Sequence, residues 1–308
     1  MDNLELNGVE IEDTFCEAFG GFFSRVLVTA KNEKWVKIAG QVATGYATST
    51  IACDAEAGID MMVPADQTPD KRPGIALMFF IMKEKQVGGT LRNRIGQCIL
   101  TCPTTACFDA MKESLKPEAV QEVKTGFQLK FFGDKYEEKV DIAGIPAWKI
   151  PVMGGEFIIQ DSFKYGKGIA GGNFLIIGKD QDSTLEAAEK SVEAIGAVEN
   201  VISAFPGGVA RSGSKVGTQY ENIPGLFATT NHAYCPTLRT KVPDTQLRDG
   251  DGAVYEIILD GATENAIKTA MKVGIEAAVK VPGVNRISAG NYGGKLGKFQ
   301  YRLHDVLS

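Results

Sequence analysis

Hydrophobic positions along this chain recur with two periods, and the change from one to the other predicts the elements. Short apolar runs rich in β-branched and aromatic residues read as strands: RVLVTA (25–30), RPGIALMFFIM (72–82), NFLIIG (173–178), DGAVYEIILDG (251–261) and VNRIS (284–288). Between them the spacing becomes helical. DSTLEAAEKSVEAIGAV, from Asp182, carries an Asp or Ser cap and an apolar stripe at Leu185, Ala188, Val192 and Ile195. TENAIKTAMKVGIEAAVKV (263–281) keeps helical spacing until Pro282 and Gly283 stop it.

The order of these elements repeats. IEDTF at 11 returns as IQDSF at 159, and RVLVTA at 25 is echoed by NFLIIG at 173, both after 148 residues (159 − 11 and 173 − 25). A second echo pairs RPGIALMFFIM with DGAVYEIILDG and RIG at 94 with KVG at 272; its larger offset requires an insertion. Each half then reads strand, helix, strand, strand, helix, strand, the order of a split βαβ sheet with helices on one face. The expected fold class is α+β: two similar ferredoxin-like lobes, each an antiparallel sheet with helices, arising by internal duplication. Gly144, Pro146 and Pro151 punctuate the step between copies. They set an N-terminal, proximal lobe at 1–148 and a C-terminal, distal lobe at 149–308. The stretch 125–148, with FQLKFFGDKYEEKVDI, reads as strands that extend a sheet.

With 308 residues, 44% hydrophobic and 23% charged, the chain has material for two cores. Its 33 basic and 38 acidic residues leave a charge of −5, which argues against nucleic acid as a partner, and no RNP-like string supports a ferredoxin-like RNA binder. No apolar run reaches the roughly 18 to 20 residues of a membrane span, and the N-terminus is acidic rather than charged then greasy. The expectation is a cytoplasmic protein with no membrane contact. Six cysteines lack C-x-x-C spacing, so no metal site is expected. Cys98, Cys102 and Cys107 crowd together, but only His232 and His304 are available to activate a thiol, so most cysteines are expected to be buried and reduced.

Two glycine-rich stretches follow strand ends: AFPGGVARSGSKVG (204–217) and SAGNYGGKLG (288–297). A Gly-Gly-Lys run suggests phosphate, yet a P-loop needs Gly, four residues, then Gly-Lys-Ser/Thr opening a helix. Here Ala289 stands at the first glycine, Leu296 at the hydroxyl, and too little chain follows. A backbone surface pressed against a flat or anionic ligand is the better reading. Glu256 is the other chemical signal. It interrupts an apolar strand, on the face of Val254 and Ile258 and opposite Tyr255, Ile257 and Leu259. A carboxyl among apolar groups resists ionisation, which raises its pKa towards the range useful for a general acid.

Nine strings, NGVEIEDTF, AEAGI, RIGQCILTCPTTACFDAM, LKFFGD, IAGGNF, FPGGVARSGSKVG, CPTL, VYEI and VPGVNRISAGNYGGKLG, resemble in order the formylmethanofuran:tetrahydromethanopterin formyltransferase family over essentially the whole chain. The resemblance implies a cytoplasmic homo-oligomer, commonly a tetramer, of two-lobed subunits with the active site in a cleft at a subunit contact. It implies no bound prosthetic group. Methanofuran and tetrahydromethanopterin are carrier substrates, and a formyl group passes between the amine of the first and N5 of the second, in methanogenesis or in formaldehyde oxidation. Bacterial members work beside hydrolase subunits, so a non-catalytic subunit of such a complex is the alternative. Departures exist: Lys71 replaces the turn glycine of the family's TPDGRPG, and Val42 replaces a family glutamate. Arg211 before SGSKVG resembles bacterial members.

Transfer between two nitrogens by direct attack passes through a tetrahedral oxyanion and ends with protonation of the leaving amine. It needs hydrogen-bond donors and an acid, with no covalent nucleophile. On the resemblance, Glu256 is that acid and Asn291 and Tyr292 orient the formyl group. Arg211, Lys215 and Lys295 are expected to meet carboxylates and phosphate on the carrier tails, with Ser212, Ser214, Gly293 and Gly294 as further substrate-binding positions.

Overall fold

The computed structural model describes residues 4–115 and 119–308, so the first three residues of the acidic N-terminal stretch lie outside it. Eight strands and four helices form two units of one design. The first unit runs β1 (Phe15–Thr29), α1 (Glu33–Thr44), β2 (Glu56–Val63), β3 (Gly74–Ile81), α2 (Val87–Arg94) and β4 (Ala106–Asp109). The second runs β5 (Phe163–Gly178), α3 (Gln181–Ile195), β6 (Val201–Ser203), β7 (Ala253–Gly261), α4 (Glu264–Ala278) and β8 (Val284–Ser288). Antiparallel pairing gives the orders β2-β3-β1-β4 and β6-β7-β5-β8, the split βαβ arrangement in both. This is a likeness of topology and not, by itself, of origin.

Local chemistry explains the repeat. α1 and α3 start at Asn32 and Asp180, again 148 apart (180 − 32), and each side chain accepts from the backbone N–H three residues on. The cap of α3 is therefore Asp180 rather than Asp182 or Ser183. The buried face of α3 also differs from the expected stripe: Thr184, Ala187, Ala188, Ser191 and Ile195 are buried, and Leu185 is exposed. Small residues occupy that face because α4 packs closely against it, with Ser191 Oγ donating to Gly274 O at 2.7 Å. A Cβ at Gly274 would meet Ile195 and Phe174 at 2.9 Å.

β1 and β5 pair with each other from Gly166–Phe23 to Ala170–Phe19, so one sheet runs through both units. The chain also crosses over. Strand Val9–Ile11 pairs parallel with β8, and Val9 and Ile11 pack into the core of the second unit. Strand Ile145–Val152 forms a hairpin with Gly155–Gln160, which pairs parallel with β4, and Ile150, Phe157 and Ile159 enter the first core. The division expected between residues 148 and 149 thus falls inside a strand. Ala143 and Gly144, both with positive φ, make the turn of an earlier hairpin and not a linker.

The stretch 125–148 is only partly strand. Thr125–Leu129 is helical and Lys130–Gly133 is a 3-10 turn, followed by strands Glu138–Ile142 and Ile145–Val152. Lys130 Nζ sits 4.1 Å from the ring of Trp148, on the second of those strands, and about 5 Å from those of Phe131 and of Phe127, which lies one helical turn earlier. Lys71, at the turn where the resemblance calls for glycine, adopts φ +57°. Of the six cysteines only Cys16 and Cys107 are fully buried, the other four being half-buried, and all are free thiols. Burial pushes the Cys16 thiol up to about 11 and raises those of Cys98, Cys102 and Cys107. Such thiols are poor nucleophiles. No helix among the described residues is long and apolar enough to cross a membrane.

Candidate active site

β7 lies between β5 and β6, and alternation divides its side chains. Tyr255, Ile257 and Leu259 enter the core beneath the helices, while Glu256, Ile258 and Asp260 face the other way. Two cavities open on that second face. One, of about 390 Å³, is walled by Phe19, Glu56, Asn173, Phe205, Ile258 and Tyr292, among others. The other, of about 380 Å³, is walled by Arg211, Ser212, Tyr234, Cys235 and Val254, among others. Glu256 and Ser214 line both. The glycine loop reaches this position because Ala210 and Glu256 exchange backbone hydrogen bonds, of 2.8 and 3.0 Å.

Desolvation acts on the Glu256 carboxyl with no offsetting cation or N–H donor among the described residues, and pushes its pKa up to about 7. Gly290 is the residue that makes room beside it. A Cβ there would stand 3.6 Å from Glu256 Oε1 and 3.2 Å from Asn173 Oδ1. Asn173 Oδ1 accepts from Gly290 N at 2.6 Å, and its Nδ2 donates to Gly290 O and Gly171 O, both at 3.2 Å.

The rest of SAGNYGGKLG does cradle an anion, but the anion is internal. Glu17, buried at the base of the loop, accepts from the backbone N–H of Tyr292, of Gly294 (2.9 Å), of Leu296 (2.9 Å) and of Gly297 (2.8 Å). Gly294 supplies the φ of +76° that the wrap requires. Burial would raise the Glu17 pKa, but the four donors outweigh it and hold the carboxyl below its ordinary value. The loop in turn fixes Tyr292, whose ring lies 6.3 Å from that of Phe19. Burial, with the nearby Glu256 and Glu17 carboxyls, raises the Tyr292 pKa, so it stays a neutral hydroxyl donor.

At the far end of the same face sits a second acidic group. Glu56 Oε1 accepts from Thr50 N (3.2 Å) and Thr50 Oγ1 (3.4 Å), and Asp260 Oδ1 accepts from Gly171 N (2.9 Å). Asp260 Oδ2 is buried with no hydrogen-bond partner among the described residues, and the two carboxyls are close enough to affect each other's titration. Burial raises the pKa of both. The Glu56 charge raises that of Asp260 further, well above the usual carboxylate value.

Of the residues expected from sequence, the structure brings Glu256, Tyr292, Ser214, Arg211 and Ser212 together around the two cavities. The others lie outside both linings. Asn291 is exposed and braces the turn, with Nδ2 donating to Phe15 O at 3.0 Å and Oδ1 accepting from Gly293 N at 3.0 Å. Gly293 and Gly294 serve the wrap around Glu17, and Lys295 is exposed beside them. Lys215 alternates away in the hairpin Ser214–Val216 with Ala228–Thr230, whose Ser214 and Val216 face the first cavity. Val42 is exposed on α1 and lines neither cavity. Sequence reasoning missed Glu17, Glu56, Asp260 and Asn173. Only Asp260 carried a usable signal: it stands four residues after Glu256 in one strand, hence on the same face.

Residues 4–152 match the family model described as formylmethanofuran-tetrahydromethanopterin formyltransferase, and residues 155–306 match its companion described as "FTR, proximal lobe". In that description the word proximal goes with the second half of the chain, the reverse of the expected labels. The chain is 51% identical over 303 residues to the Methanocaldococcus jannaschii formylmethanofuran–tetrahydromethanopterin formyltransferase, covering 98% of this chain and 99% of that one. It is 51% identical over 305 residues to the Methanopyrus kandleri protein of the same name, covering 98% and 100%. Among solved structures, the Methanosarcina barkeri formyltransferase superposes with a TM-score of 0.91 at 46% identity, covering 98% and 100%. A chain of the formyltransferase/hydrolase complex of Methylorubrum extorquens with methylofuran gives 0.92 at 40% identity, covering 100% and 99%. These archaeal proteins are more similar in sequence than this bacterial one, so Arg211 by itself gives no lead to the source. With both halves matched and half of all positions shared end to end with its relatives, the chain belongs to the formylmethanofuran–tetrahydromethanopterin formyltransferase family.

Proposed function

We propose that this protein transfers a formyl group between methanofuran and N5 of tetrahydromethanopterin by direct attack, with one carrier in each of the two cavities that meet at Glu256. The observation that carries this reading is Glu256 itself, a carboxyl with a pKa near neutrality in the wall common to both cavities. N5 attacks the formamide carbon, the carbonyl oxygen becomes negative, and the Tyr292 hydroxyl is the donor for it. Collapse expels the methanofuran amine, which takes its proton from Glu256, and the proton that N5 loses on acylation returns to the Glu256 carboxylate, so the acid is regenerated. In the reverse direction the Glu256 carboxylate accepts the amine proton. Arg211 and Ser212 hold the anionic tail of the carrier in the second cavity.

The carriers act as substrates, with no resident cofactor or metal. The protein works in the cytoplasm as a homo-oligomer, a tetramer by family resemblance, with hydrolase subunits as further partners if its source is bacterial. A non-catalytic role beside such subunits is favoured only by the likeness to the Methylorubrum complex. It gives no reason for an acid with a raised pKa where two cavities meet. Incubation of the purified protein with formylmethanofuran and tetrahydromethanopterin, without nucleotide or added metal, should yield the formylated pterin by mass spectrometry. Dependence on ATP, or loss of transfer on chelation, would overturn the mechanism.

A further inference from the structure

We propose that Glu56, backed by Asp260, is the subsite that reads the aminopyrimidine edge of the pterin carrier, accepting from its 2-amino group and the adjacent ring N–H. This deepens the proposed function and rests on it, since it requires the pterin to occupy the cavity shared by Glu56 and Glu256.

Glu56 is 8% exposed, and what remains open of it faces that cavity. Its Oε1 is braced by Thr50, and Asp260, fully buried, stands behind it with its pKa raised the more strongly of the two. Burial raises the Glu56 pKa as well, against the hydrogen bonds from Asp260 and Thr50 that lower it, so Glu56 is the member of the pair that ionises first. No cation contributes to the environment of either carboxyl among the described residues. A carboxylate kept out of water without a counter-charge is costly unless something supplies N–H donors. Among the described residues the protein supplies one N–H and one hydroxyl, both from Thr50 and both to Glu56 Oε1, which leaves the rest of the carboxyl's acceptor capacity open to a ligand. A planar ligand with two neighbouring N–H groups fills it, because a carboxylate accepts from such a fork as it does from guanidinium.

The rest of the cavity fits that ligand. Phe19, Phe205 and Tyr292 offer aromatic walls for a flat ring. Asp260 lies four residues from Glu256 on one face of β7, about 13 Å along the strand. A two-ring heterocycle held at its amino edge by Glu56 then extends its opposite side towards Glu256. The amine carrier, built on a single furan, has no paired N–H edge to offer.

The test crosses an enzyme variant with a ligand variant. Glu56→Gln replaces the anionic fork with an amide, and should lower kcat/KM for tetrahydromethanopterin about 10- to 100-fold through KM, with KM for formylmethanofuran within about twofold. A pterin carrier lacking the 2-amino group should lose a similar factor with the wild-type enzyme and lose nothing further with Glu56→Gln. That non-additivity is the signature a structural role would not give. Wild-type preference for the full carrier over the deaminated one would stand as support even if Glu56→Gln failed to fold. Equal use of the two carriers by wild type, or a KM effect on formylmethanofuran instead, would overturn the subsite while leaving formyl transfer intact. A wild-type protein without transfer would sink the functional reading alone. Calorimetric titration of wild type and Glu56→Gln with tetrahydromethanopterin would then decide the subsite, equal affinities overturning it.

Discussion

In the first unit β3 turns Ala76, Met78 and Phe80 away from its helices; in the second, β7 turns Glu256, Ile258 and Asp260 the same way. The positions correspond by register, since Leu27 pairs with Ala76 and Leu175, 148 residues later (175 − 27), pairs with Glu256. Met78 and Phe80 are sealed by Phe23, Ala170, Ile202 and Ala262, and Leu27 by Phe108 with Ile142 and Ile158 of the added hairpins. Over the second unit the cover is a pair of glycine-rich loops, and cavities remain beneath them. One sheet design thus serves as a closed core over β3 in one half and a reaction surface over β7 in the other, with Phe19 of β1 and Glu56 of β2 completing the cavity wall. The difference is made by two carboxyls four residues apart on one face of β7 and by what is laid across them.

The largest effect should come from removing the carboxyl that most distinguishes the two faces. Glu256→Gln keeps the shape and offers no proton, so kcat should fall roughly 10²- to 10⁴-fold. In wild type kcat should decline as pH rises through about 7, where Glu256 loses its proton, and the variant should lack that limb. Stability follows the same titration. The folded pKa lies above the unfolded one, so the contribution is complete below the ordinary carboxylate pKa and is lost as pH rises through about 7. At pH 8 the variant should be more stable than wild type, by up to about 3 kcal/mol. A wild-type enzyme with a flat pH profile and a variant of normal turnover would remove Glu256 from the chemistry.

The reverse exchange tests the other half. Ala76→Glu places a carboxyl at the corresponding position, which is fully buried and lines neither of the two cavities. The cost should be about 3 to 5 kcal/mol by chemical denaturation, or loss of folding. A cost below about 1 kcal/mol would mean that the first face is as open as the second.

Which parts of this were readable in advance follows from the range of each interaction. VNRIS gave its strand to the residue, and Glu256 stood out because one acid interrupts an apolar run. The helical turn at 125–133 was read as strand because its aromatics are held by Lys130 and by Trp148 further along the chain. Glu17 was invisible: its four donors lie 275 to 280 residues away. The glycines of SAGNYGGKLG did announce an anion. Backbone N–H groups bind any carboxylate alike, so the sequence carried no mark of whose carboxylate it was.

Glu17→Gln should therefore act through the loop and not through the reacting atoms. The amide keeps one acceptor oxygen and turns an NH2 towards two N–H donors, a loss of about 1 to 3 kcal/mol. The expected readouts are a lower Tm, faster proteolysis within 290–297, and a raised KM as Tyr292 loses its fixed place. Because the Glu17 pKa is lowered on folding, the wild-type advantage should be present above the ordinary carboxylate pKa and fade as pH falls through the lowered one. An unchanged Tm would mean that the four hydrogen bonds contribute little net stability.

The smallest effects should fall on the two lysines of the glycine loops, with Arg211 as their contrast. Lys295 is exposed beside the wrap around Glu17, and Lys215 faces away from the cavity that Ser214 and Val216 line. Neither is placed to touch a carrier within one protomer, so Lys295→Ala and Lys215→Ala should each change KM by less than about threefold, as loss of a screened surface charge does. Arg211 lines the second cavity, and Arg211→Ala should raise KM for one carrier about tenfold at unchanged kcat, an effect that added salt should imitate. If Lys295→Ala raised KM as much as Arg211→Ala does, the binding surface would extend past the cavity rim. The carrier tail would then lie against a neighbouring protomer, and the two-face comparison within one chain would describe only part of the site.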